Sequence, residues 1–175
     1  TAFVILSIVF WRFLQLTNLR IYQVSIKLFS VKFFLFLLFL QLIIGAFVSG
    51  MDAGKIYNSW PLMGNTYFPD DNDFSNLFKL SVFSDPSLVQ FIHRNLAYII
   101  GVFYLYIFYR IYKNKMHELY KPVNVLGLFI IIQIILGIFT ILNGAQMFIA
   151  SMHQLSSIFL VSSCIYFLYL NTRFN

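Results

Sequence analysis

The chemistry this sequence offers rests on two histidines. His93 and His153 each stand near the start of a long apolar run. Small residues follow at helical spacing: Ala97 and Gly101 at i+4 and i+8 from His93, and Ser156, Ser157 and Cys164 at i+3, i+4 and i+11 from His153. On a 3.6-residue helix these positions share the face of the imidazole. Two such faces, opposed, would hold a flat macrocycle with one imidazole on each side of its iron.

The elements that must position these histidines are membrane spans. The chain is 60% hydrophobic and only 10% charged, with mean hydropathy +0.80. Soluble domains carry about 25% charged residues. Val31–Ser49, Leu88–Tyr112, Val123–Leu142 and Met147–Leu170 each approach the roughly 20 residues needed to cross a hydrocarbon core, and backbone satisfaction requires them to be helices. Residues 1–16 are expected to be the end of a preceding span, with Arg12 near its exit, and 17–30 a polar inner connector holding Arg20 and Lys27. No charged n-region or cleavage site precedes the first apolar run, so a signal peptide is not expected, and the chain reads as part of a longer protein. The expected fold is an all-α membrane protein, with a four-helix unit over 31–175.

Charge orients the bundle. One side collects Arg12, Arg20, Lys27, Lys32, Arg110, Lys113, Lys115, Lys121 and Arg173. The other has Lys55, Lys79 and Arg94 with Asp52, Asp70, Asp71, Asp73 and Asp85. The first side is therefore cytoplasmic or matrix-facing, and the loop over 50–87 is external. The net charge of +6 is spread over membrane-flanking loops, which excludes a nucleic-acid partner. Tyr106, Tyr109, Tyr112, Tyr166 and Tyr169 are expected to form an inner aromatic belt. Within the loop, Phe74–Phe83 is moderately amphipathic and suits a surface-lying segment. Trp60-Pro61-Leu62-Met63 is too apolar to stand exposed, so Asp52 to Gly64 is expected to fold back over the bundle. Asp85 before Pro86 reads as the cap of the second span.

A weak internal repeat runs through the chain. Gln41–Phe47 is QLIIGAF and Gln133–Phe139 is QIILGIF, and each outbound helix is followed by an inbound helix bearing a histidine near its outer end. Gly45 with Ser49, and Gly137, are expected to permit close helix approach or to clear space for a macrocycle edge. A histidine one turn inside a membrane helix can also simply reach toward the headgroups. The matched depth of two histidines within a repeat favours ligation. Arg94 suits either a propionate carboxylate or a lipid phosphate, and Gln154 could play a similar polar part. His117 lies in the inner loop KNKMHELYK and reads as a solvated residue. The lone cysteine, Cys164, excludes an internal disulfide and reads as a small packing residue.

Four segments resemble haem A synthase of the mitochondrial and alphaproteobacterial type: QLIIGAFVSGMDAGKIYNSWPLMG (Gln41–Gly64), VQFIHRNLAY (Val89–Tyr98), QIILGIFTIL (Gln133–Leu142) and the His153-Gln154 pair. The resemblance covers most of residues 31–165. It implies half of an eight-helix, two-repeat membrane enzyme that oxidises the C8 methyl of haem O to the formyl group of haem A for cytochrome oxidase. The half resembled is the C-terminal one, which holds a b-type haem. His93 and His153 are implied as its axial ligands; Arg94 stands beside them as a cofactor-binding candidate on the residue reading above. The implied partners are haem O in the other half, the lipid bilayer and an electron carrier, and the reading is compatible with a homo-oligomer. The implied location is a bacterial cell inner membrane or the mitochondrial inner membrane. The Glu-x-x-x-His motif of the substrate half is absent: Glu118 is the single glutamate, and Pro122 stands four residues after it. The chain is therefore expected to bind haem but not to turn over alone, and its catalytic residues are unassigned. A bis-histidine cytochrome b-like electron carrier is the alternative, and a non-haem assembly subunit a third reading.

Overall fold

A computed structural model describes residues 2–17 and 28–172. The described residues are helical, joined by turns and one isolated bridge between Met63 and Thr66. The long elements are α1 (Ala2–Leu16), α2 (Leu28–Gly50), α3 (Pro86–Lys113), α4 (Tyr120–Leu142) and α5 (Met147–Thr172). α2 through α5 have 23 to 28 residues and are long and apolar enough to cross a membrane. At 1.5 Å per residue the shortest covers about 35 Å, beyond a hydrocarbon core of about 30 Å. The chain is a multi-pass membrane protein. The connector expected over 17–30 falls largely outside the described residues, as do Arg20, Lys27 and Arg173; its last residues, from Leu28, are already helical.

The helix ends follow from local chemistry. Asp85 Oδ1 accepts the backbone N–H groups of Ser87 (3.0 Å) and Leu88 (3.1 Å), and Pro86 takes the first helical position, as the sequence predicts. α3 ends with Lys115 in the left-handed region (φ 53°), where Met116 N–H reaches Ile111 O and Lys115 N–H reaches Tyr112 O. α4 ends the same way on Gly144 (φ 63°): Ala145 N–H reaches Thr140 O at 2.8 Å and Gly144 N–H reaches Ile141 O at 3.0 Å. Both are the paired closure that satisfies the last carbonyls of a helix.

The chain divides into two compact units. One comprises residues 1–38, 100–133 and 154–175. Phe34, Ile107, Leu126 and Phe167 are fully buried in it, and it holds the described cations Arg12, Lys32, Arg110, Lys113, Lys115 and Lys121. Tyr106 and Tyr109 are exposed there, beneath Arg110 and Lys113 respectively, as interface residues should be. Tyr169 departs from the expected belt: it is buried and meets Trp11 of α1 edge-on at 5.5 Å. Cys164 is fully buried, a packing residue. The other unit comprises 39–99 and 134–153, and holds the long loop, its five aspartates and both candidate histidines.

Candidate functional site

His93 sits seven residues into α3 from Pro86, and His153 six residues into α5 from Met147. At 1.5 Å rise these depths are about 10 and 9 Å below the helix starts. Both imidazoles belong to the same unit.

Each histidine stands over a glycine of the preceding helix. A methyl placed on Gly45 of α2 would lie 3.1 Å from His93 Cε1, and one on Gly137 of α4 would lie 3.2 Å from His153 Cε1. Any larger residue at either position would push the ring aside. The repeat seen in the sequence is therefore a repeat of ring seats, with each histidine lying against the glycine of its own QxxxG run. The glycines clear room for the imidazoles themselves, rather than only for a helix or a macrocycle edge. On the face expected beyond His93, a methyl at Gly101 would meet nothing within 4 Å, so that face is open.

His93 is held by Gln41. The amide nitrogen of Gln41 lies 3.2 Å from His93 Nε2 and 3.1 Å from the His93 carbonyl oxygen. That carbonyl only accepts, which identifies the atom as the amide nitrogen. The ring nitrogen it faces must then accept as well, leaving the imidazole neutral with its proton on Nδ1. His93 Nδ1, Gln41 Oε1 and Arg94 Nε are buried with no protein partner. In the second half of the repeat Gln133 donates to Ser156 Oγ at 2.6 Å.

Arg94 is buried and turned to the loop. Nη1 donates to Ser59 O (2.9 Å) and Leu62 O (3.3 Å), and Nη2 donates to Tyr57 O (3.0 Å). Gln90 adds a bond to Tyr57 O at 3.0 Å, Tyr67 donates to Asn95 Oδ1 at 2.6 Å, and Trp60 Nε1 donates to Tyr98 Oη at 3.0 Å. Asn58 bonds both Gly54 O and Ile141 O at 3.0 Å. The stretch from Tyr57 to Tyr67 thus folds back onto α3, as its composition predicts. Of the two alternatives for Arg94, this burial speaks against lipid phosphate: its guanidinium grips backbone carbonyls. Met63 is buried, but Trp60 and Leu62 stay 43% and 42% exposed, contrary to the expectation for that run. Tyr57 donates to Asp70 (2.5 Å) and Asp71 (3.0 Å). Burial, then those two carboxylates, raise its hydroxyl well above the ordinary tyrosine range.

The remaining candidates are placed plainly. Gln154 is exposed, and its carbonyl accepts from Ser157 Oγ at 2.5 Å. Phe74–Phe78 and Leu80–Ser84 are two short 3-10 turns, with Phe78 and Leu80 almost fully exposed. His117 opens a short turn, exposed, with its ring 4.9 Å from that of Tyr120. Among the described residues no group of three or more His, Cys, Asp or Glu could hold a bare metal ion.

The sequence profile of the family described as cytochrome oxidase assembly protein matches residues 1–165. The haem A synthase of Pelagibacter ubique is 39% identical over 172 residues, covering 98% of this chain and 51% of that protein. The chain belongs to the haem A synthase family of cytochrome oxidase assembly proteins. The haem A synthase of Wolbachia pipientis is 40% identical over 138 residues (79% of this chain, 38% of that protein), and that of Paracoccus denitrificans 34% over 165 (90% and 43%). The chain spans about half the length, or less, of these relatives. No solved structure matches it significantly. The segments that carry the resemblance supply the candidate residues: Gln41, Gly45 and His93 come from the first two, Gly137 and His153 from the last two.

Proposed function

We propose that this chain is the haem-holding half of a haem A synthase, with His93 and His153 as the axial ligands of a b-type haem. The observation that carries the reading is the pair of equivalent ring seats, Gly45 under His93 and Gly137 under His153. A b-type haem with two nitrogen ligands supplies one-electron transfer. The donor set fits the group. The His93 imidazole is neutral and offers a nitrogen lone pair, which is the form that ligates iron. The glycines leave each ring seated without displacement. The Nε–H of Arg94, buried and without a protein partner, is suited to a propionate carboxylate. The loop bonded by Arg94, Gln90 and Asn95 lies over the first turns of α3, where it would shield the buried Arg94 and Gln90 side chains.

The reaction assigned to the whole enzyme is oxidation of the haem O methyl to the haem A formyl. This sequence has no Glu-x-x-x-His motif, since Glu118 is followed at i+4 by Pro122. Turnover then requires the other half, where haem O binds, together with an electron carrier. The proposed setting is a bacterial cell inner membrane or the mitochondrial inner membrane. The test is a reduced-minus-oxidised spectrum of the purified chain. A low-spin bis-nitrogen haem is expected, abolished by His93→Ala or His153→Ala and unchanged by His117→Ala. A spectrum lost in His117→Ala and kept in His93→Ala would overturn the assignment.

A further inference from the structure

Residues 74–84 carry the most exposed large apolar side chains of the long loop, and they are sorted by face. Leu80–Ser84 is a 3-10 turn, in which residues three apart eclipse. Leu80 and Phe83 therefore share one side, Ser81 and Ser84 a second, and Val82 takes the third. The surroundings agree with that division. Val82 is buried, and Leu80 is 94% exposed. Ser81 and Ser84 line a cleft of about 300 Å³ whose walls include Asn72, Asn76, Lys79 and Asp85. Lys79, before the turn, is extended, which sets its side chain opposite those of Phe78 and Leu80. Its Nζ donates to Asn76 Oδ1 at 2.8 Å, on the side of the cleft, while Phe78 is 82% exposed.

Ring contacts tie this segment to the ends of two spans. Phe83 meets Phe47 of α2 at 5.9 Å. Phe74 meets Phe68 at 5.7 Å, and Phe68 meets Phe91 of α3 edge-on at 5.0 Å. Phe47 lies three residues from the end of α2 and Phe91 five from the start of α3, about 4.5 and 7.5 Å inside the helix ends. Phe47 stands outside the core: with Ile43, one turn below it, it forms an exposed apolar stripe on a span. Phe83 extends that stripe from the loop, and Leu80 stands on the same side of its turn as Phe83. We propose that the lipid covering Ile43 and Phe47 covers this face as well, so that Phe78, Leu80 and Phe83 insert among the phospholipid acyl chains of the adjoining leaflet. Lys79 and the serine side of the cleft then lie in the headgroup layer. Residues 74–84 are an interfacial anchor. They hold the second half of the loop to the membrane, as Arg94 holds the first half to α3. The anchor stands apart from the haem-binding reading above.

The experiment uses the full chain, one copy per nanodisc of palmitoyl-oleoyl phosphatidylcholine, with a nitroxide attached at Phe78→Cys, Leu80→Cys or Ser81→Cys. Cys164 is fully buried and does not take the label. All three substituted side chains are exposed, so the fold is not at risk. Collisions of the nitroxide with oxygen, which concentrates in hydrocarbon, and with a water-soluble nickel chelate are read by power saturation. Oxygen should exceed nickel at residues 78 and 80, and nickel should exceed oxygen at residue 81, next along the chain. Nickel exceeding oxygen at either 78 or 80 puts that face in water and overturns the anchor. Low collision with both reagents at either position means that protein covers the face, and overturns it too; one copy per disc keeps a second copy from supplying that cover. Oxygen exceeding nickel at 81 as well overturns the sorting of faces on which the anchor rests.

Discussion

Replacing the seat glycines with alanine tests the geometry directly. The added methyl would lie 3.1 Å from His93 Cε1 in Gly45→Ala and 3.2 Å from His153 Cε1 in Gly137→Ala. Ordinary carbon contacts begin near 3.5 Å, so each ring must retreat by a few tenths of an ångström. In the haem-free protein it can do so cheaply, His93 by lengthening its 3.2 Å contact with Gln41. The helix itself gains up to about 1 kcal/mol from alanine in both states, so that gain cancels from the affinity. Once iron fixes the nitrogen the ring cannot retreat, and an overpacking cost of about 1–3 kcal/mol is felt only in the loaded state. Hemin affinity should therefore fall about 5- to 150-fold. The haem-free melting temperature should stay level or rise. Hemin titration together with melting of both forms gives the two numbers. Alanine variants that bind hemin as tightly as wild type, or that lose as much stability without haem as with it, would refute the ring-seat reasoning.

Arg94→Ala leaves the carbonyls of Tyr57, Ser59 and Leu62 without their donor, and should cost about 3 kcal/mol and open residues 57–64 to protease; Arg94→Lys should restore only part, since a point charge cannot span three carbonyls. Gly127→Ala would place a methyl 2.0 Å from Tyr104 Oη and 2.6 Å from Cζ, and should destabilise by about 1–3 kcal/mol, with Tyr104→Leu rescuing it in a double-mutant cycle. Burial alone would raise the Asp85 pKa, but bonds from Ser87 Oγ, Leu88 N–H, Asn72 and Ser87 N–H outweigh it and hold the carboxylate below its ordinary value. A depressed folded pKa contributes stability that is present above the unfolded value of about 3.9 and lost as pH falls through the lowered one. An acid titration of thermal stability should show that loss in wild type and a flatter profile in Asp85→Asn.

The spans were legible because a bilayer leaves so few solutions for an apolar run. Their starts were less so. The sequence reading opens α4 after Pro122, whereas the helix begins at Tyr120 with the proline in its first turn, where its missing N–H costs nothing. The Asp85-Pro86 cap was readable because it is local. The ring seats were half readable: the QxxxG repeat and the two histidines are visible in the chain, but which glycine faces which ring depends on the register between helices. Arg94 stood out as a buried cation, yet its acceptors are main-chain carbonyls, which leave no mark in residue type. The same holds for Gly127, whose need for glycine comes from the Tyr104 hydroxyl on another helix.

Arg94 and His93 are consecutive residues of α3, one clasping the loop at Tyr57–Leu62 and the other facing Gln41 and Gly45. They share a peptide unit, so the attitude of the loop and the attitude of the imidazole are not independent variables. If binding at His93 displaced α3, the loop held by Arg94 would be displaced with it, and linkage would make that influence mutual and equal in free energy. A group bound at His93 would in this sense also act on the loop that Arg94 holds. A molecule that grips the loop from outside would, by the same amount, alter how tightly His93 holds its own.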